Sequence, residues 1–213
     1  LRLLTSPLTV DGDMTINANS VLNANNIDIT FNGNLINTPG VNGYVYGTNT
    51  TTFSATATGS LGGDQTITGI TDFYDLIVSP ASTLSLSDPS TVNNDLALNS
   101  GSLVCTDNPV TLIGDLINDA SYTDDDTPGS GIILAGTELQ LIQGFGAYGR
   151  LTINNSADVQ IENDITLQED LTMTNGILNI KKNLLTLGVN CEIQGAPFSA
   201  SKMITSDGVF SNV

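Results

Sequence analysis

The chain has 213 residues, with 22 acidic side chains against 5 basic ones, no His, and a formal net charge of −17. A surface this anionic repels nucleic acid and anionic lipid, and the lack of His removes imidazole acid–base chemistry. No apolar run approaches the roughly 18 residues of a membrane span, so membrane insertion is not expected.

From the N-terminus onward, one six-residue phrase recurs: Thr, an apolar residue, two variable residues, Asp or Asn, then another apolar residue. Its copies begin at Thr9, Thr30, Thr91, Thr111, Thr166 and Thr186, and neighbouring copies start 21, 20 and 20 residues apart. The polar residues around them, Gly, Asn, Thr, Ser and Asp, belong to turns and strand faces. A fixed period of about 20 residues among short β-type runs is the signature of a solenoid in which each period is one coil. The fifth residue of each copy (Asp13, Asn34, Asp95, Asp115, Asp170, Asn190) is expected to stack along one corner, where it can accept backbone N–H groups.

The period is clearest from Leu151 to Asn190. Leu151-Thr152-Ile153, Val159-Gln160-Ile161 and Ile165-Thr166-Leu167 make one coil; Leu171-Thr172-Met173, Leu178-Asn179-Ile180 and Leu185-Thr186-Leu187 make the next. In each triplet the outer two side chains share one face and the middle one points the other way. Three inward-facing strands joined by Asn, Asp, Gly and Ser corners close a triangular section, and stacking pairs each strand in parallel with its equivalent. Leu151 is expected under Leu171, and Leu171 under Cys191. An α-helix is excluded, because the apolar residues recur at i+2 and then jump.

A longer repeat overlies the first. Gln65 to Ile113 aligns without a gap onto Gln140 to Gly188 at a shift of 75, with identities that include Gln65/Gln140, Gly69/Gly144, Leu76/Leu151, Asp95/Asp170 and Leu103/Leu178. Gly33–Asn37 likewise echoes Gly114–Asn118. The whole of residues 1–213 reads as a single all-β solenoid of about ten coils, with irregular excursions near 38–62 and 118–130. It starts mid-pattern at Leu1, shows no signal peptide and stops after another apolar run. The expectation is a piece of a longer protein, packed against neighbouring repeats of the same chain.

Gly131–Leu134, Gln140–Gly144, Leu151–Ala157 and Leu171–Asn179 together resemble the repeat of very large secreted surface proteins of the Bacteroidetes. Those are similar to filamentous-haemagglutinin-type and autotransporter adhesins. The resemblance covers Gln65 to Asn190 and implies a right-handed parallel β-helix. It also implies export to the cell surface and a part in adhesion or in an extracellular filament. The partners it implies are surface glycans or proteins, or lateral copies of the chain. It carries no catalytic residues.

The residues by themselves offer little chemistry. Asp124, Asp125 and Asp126 form the densest carboxylate cluster and are the one candidate for calcium, which takes several oxygen ligands. Adjacent residues of an extended chain point different ways, however, and a solvated loop tip is the favoured reading. Parallel β-helices also host polysaccharide-cleaving enzymes and carbohydrate-binding proteins, and this is the alternative function. Arg150, about one coil beyond that acidic run, is the only cation placed to serve it, and no enzyme is expected. Tyr44 and Tyr46 share a strand face and are read as packing under a loop, not as a sugar platform. Cys105 and Cys191 align with inward apolar positions several coils apart, whereas a disulfide needs Cα atoms within about 7 Å. Both are expected to be buried free thiols.

Overall fold

Alternation of apolar and polar residues produces runs of three or four residues that are buried, half-buried, buried, as in Leu96–Leu98, Val110–Leu112 and Ile132–Leu134. Each is too short to fold alone and becomes stable only by pairing with the equivalent run one coil away. The computed structural model describes residues 1–55, 63–124, 129–189 and 191–207, and in it the strands wind into a parallel β-solenoid of about nine turns. The first face runs from Leu8–Val10 to Lys202–Thr205, the second from Met14–Ile16 to Leu185–Leu187, and the third from Leu22–Asn23 to Ile193–Gln194. The single helical turn among the described residues is Gly40–Asn42, and no helix is long and apolar enough to cross a membrane.

Inward side chains stack in register along the axis. On the first face Leu76 pairs with Leu96 and Leu96 with Leu116. On the third, Val110, Ile132, Leu151 and Leu171 follow one another. Aromatics fill the core of the early coils: Phe31 stacks on Phe53 at 5.3 Å, and Phe73 meets Phe53 edge-on at 6.2 Å. Ser90 breaks an inward row that continues through Val110 and Ile132, and its buried Oγ has no hydrogen-bond partner. Ser90→Val should therefore raise the unfolding free energy by about 1 kcal/mol, because it removes an unmet polar group and adds apolar contact. An unchanged or lower urea midpoint would contradict this.

Several expectations need correction. The coil that follows Leu171 holds 22 residues, so Leu171 stacks on Ile193 and not on Cys191. Cys191 is left half-buried at a corner with its Sγ–H donating to the Glu169 carbonyl, while Cys105 is fully buried; both are free thiols. Much of 38–62 is ordinary coil, since Tyr44–Val45 and Thr50–Phe53 are strands of the third and first faces; 56–62 lies outside the described residues. Within 118–130, Ser121–Thr123 is a second-face strand and 125–128 lies outside the described residues.

The 75-residue repeat has a structural counterpart. Gln65 and Gln140 are each 1% exposed and point into the core where a strand starts early relative to the coil before it. Gln65 Nε2 donates to the carbonyls of Phe31 and Gly33, and its Oε1 accepts the Ala55 N–H. Gln140 does the same with Leu112, Gly114 and Gly136. A primary amide can stand in for both halves of a peptide group, so each Gln plugs a gap in the ladder. Four residues on, Gly69 and Gly144 have φ of +86° and +93°, and a Cβ there would lie 2.1 and 2.2 Å from the carbonyl oxygens of Asn37 and Asn118. The two units are nevertheless not superimposed face on face. Gln65, Leu76 and Leu103 lie on the second, first and second faces, whereas Gln140, Leu151 and Leu178 lie on the first, third and first. The shift amounts to three and two-thirds coils.

Candidate functional site

With Asp75 the exception, the described Asp and Glu residues fall between strands, at the corners, and leave the faces mostly to Thr, Ser, Asn and apolar residues. At the corners these side chains hold coil to coil. Asp13 Oδ1 accepts the N–H of Asn34, Asn34 Oδ1 that of Thr66, Asp75 that of Asp95, Asp95 that of Asp115, and Asp115 that of Leu141. Where the chain turns and its carbonyls point away, a carboxylate or amide oxygen replaces the missing ladder acceptor.

The expected single stack is corrected by the topology. Asp13 and Asn34 sit between the first and second faces, Asp95 and Asp115 between the third and first, and Asp170 between the second and third. Asn190 lies outside the described residues. Asp95→Asn should be nearly neutral, since the Asn34 amide oxygen performs the same acceptor task at another corner. Asp95→Ala should cost about 1 kcal/mol by stranding the Asp115 N–H, and equal urea midpoints for the two variants would refute the acceptor role.

Of the calcium candidates, Asp124 has its carboxylate engaged within the protein: Oδ2 accepts the Tyr122 hydroxyl at 2.8 Å and the Arg150 N–H at 2.7 Å. Asp125 and Asp126 lie outside the described residues, and among the described residues no group of three His, Cys, Asp or Glu is arranged to hold a metal. Arg150 is 3% exposed. Its side chain turns to the next coil, where Nη1 lies 3.4 Å from Asp170 Oδ2. The same Asp170 accepts the Glu192 N–H and the Gln194 amide, so one carboxylate ties three successive coils.

Beneath this corner, burial pushes the Tyr122 hydroxyl well above its ordinary pKa, with Cys105 and Asp124 adding to the effect. Burial raises the Cys105 thiol and the Tyr148 hydroxyl in the same way. Tyr44 is buried against Phe73 at 5.8 Å with its hydroxyl on Thr51, and Tyr46 is half-buried with its hydroxyl on Asn93 Nδ2, so both are packing residues. Lys181 pairs with Glu162 at 2.6 Å, and hydrogen bonds from Lys181 and Gln160 hold that carboxyl below its usual range.

One concavity was not anticipated. The outward row of the second face reads Thr83, Ser102, Ser121, Ala147, Thr166, Thr186. At Ala147 and at Gly149, two residues further on, the side chains shrink. A recess of about 360 Å³ lies over them, walled by Thr123, Asp124, Gln168 and Glu169. The only signal in the sequence is small residues replacing Thr and Ser in a row whose register depends on the Gln140 plug.

No protein-family model, no curated protein and no solved structure matches this chain.

Proposed function

We propose that the chain is a rigid spine segment of a secreted cell-surface adhesin or extracellular filament, wound as a right-handed β-helix. The observation that carries this reading is where the polar side chains are spent. Corner carboxylates and amides accept the N–H groups of the next coil, so the groups most capable of chemistry serve to lock a repeating rod. Such a rod gives reach and stiffness. Its acidic corners keep the long parallel sheets soluble and discourage edge-to-edge association. Antibodies raised against the segment should label intact, unpermeabilised cells of the source organism. Labelling only after permeabilisation would overturn the proposal.

A further inference from the structure

We propose that the furrow across the second face at Ala147 and Gly149 binds a short neutral glycan, and so gives the spine an adhesive contact of its own. The proposal takes its biological sense from the adhesin reading but can fail independently of it.

Three features converge on this one coil. The first is shape: the ladder of outward Thr and Ser loses its rung at Ala147, and again at Gly149, while the coils on either side keep Ser121, Thr123, Thr166 and Gln168. The recess of about 360 Å³ lies in the range of small-ligand sites.

The second is chemistry. Ser121 and Thr123 bring hydroxyls and Gln168 an amide, which donate and accept, while the carboxylates of Asp124 and Glu169 are engaged within the protein and contribute negative charge to the wall. Such a wall suits a neutral ligand rich in hydroxyl groups. It repels an anionic sugar, as does the net charge of −17.

The third is Phe145, two residues before Ala147 at the corner between the first and second faces. The residue is 79% exposed, the highest value for an aromatic among the described residues. The backbone beneath it is fixed: Gly144 has φ +93°, Gly146 packs on Asn118, and the Phe145 N–H donates to Asp119 Oδ1. An apolar ring held in water on a rigid corner loses little entropy on contact, and it offers a flat face to the carbon side of a sugar.

The test uses the intact chain and saturation-transfer NMR. The probes are the methyl glycosides of glucose, galactose and N-acetylglucosamine, the β-1,4-linked trimers of glucose and N-acetylglucosamine, trigalacturonate as the anionic control and arginine methyl ester as the cationic one. At least one neutral sugar should bind, the trimer more tightly than the monosaccharide, and neither control should compete. Phe145→Ala should weaken binding at least tenfold. Ala147→Thr, which restores the missing rung, should abolish it with no change in the unfolding transition. Failure of every neutral sugar, preference for either control, or equal binding by both variants would overturn the proposal. X-ray scattering on the same samples reads the rod independently: an intact rod that binds no sugar refutes the furrow alone, and a collapsed particle refutes the spine.

Discussion

Asp170→Ala should lower the unfolding free energy by about 2 to 4 kcal/mol, because two donors of the next coil lose their acceptor and a buried ion pair is broken. The side chain is 10% exposed and faces an Arg150 side chain that is 3% exposed. It also caps the Glu192 N–H at 2.7 Å and holds the Gln194 amide. Truncation strips a buried guanidinium of its facing carboxylate and leaves the first residues of the next coil without their acceptor. Asp170→Asn should fall between wild type and Ala, because it keeps the acceptor for Glu192 and loses the charge. The double variant Arg150→Met/Asp170→Leu should recover much of the loss, because no charge is then buried. Urea unfolding of the four proteins checks this. A loss below about 1 kcal/mol for Asp170→Ala would show that Arg150 does not depend on the pair.

Alkaline pH should unfold the rod over a narrow interval. Cys105, Tyr122 and Tyr148 are all raised, chiefly by burial. Each folded-state pKa lies above its unfolded value, so the stabilisation is complete below the unfolded values, about 8.5 for Cys and 10 for Tyr. It is lost as pH climbs past them toward the folded values, because only the unfolded chain releases those protons. Each group then costs more than 1 kcal/mol per pH unit, on the order of 5 kcal/mol in all by pH 11. Circular dichroism should show the transition, and in a Tyr46→Phe/Tyr74→Phe background, which removes the half-buried tyrosines, ultraviolet absorbance should show tyrosinate appearing with unfolding and not before it. Cys105→Val should move the onset upward by removing the group that begins to titrate first. Tyrosinate formed in that background while the β-signal persists would refute the argument.

The coil was legible because its information is local and redundant. Each Leu-x-Leu or Ile-x-Leu triplet states its own inward face, and the rows Leu76–Leu96–Leu116 and Leu151–Leu171 follow from a spacing of 20. What the spacing does not encode is the corner on which a phrase sits. Three faces built from the same triplets give Asp13, Asp95 and Asp170 the same phrase pattern in sequence, although they occupy three different corners. Cys191 was misplaced for a related reason: a coil two residues longer than its neighbours re-registers everything after it. The recess was illegible because it is a difference between coils. Ala147 is unremarkable until the plug at Gln140 sets it beside Ser121, 26 residues earlier, and Thr166. Gln65 and Gln140 were visible as a repeated pair, but their role was not, since a buried amide that replaces a peptide group depends on which carbonyls lie beneath it.

The shift of three and two-thirds coils bears on how such a surface meets its surroundings. A repeat of a whole number of coils would present every copy of a feature along one side of the rod, like teeth on a comb. Here each successive copy is turned by a third of a revolution, so the repeat generates a threefold screw. Any array continuing the pattern would return a feature to its starting side only after eleven coils, about 53 Å at the spacing of paired strands. A rod decorated in this way has no front or back and can engage a neighbour from any direction of approach.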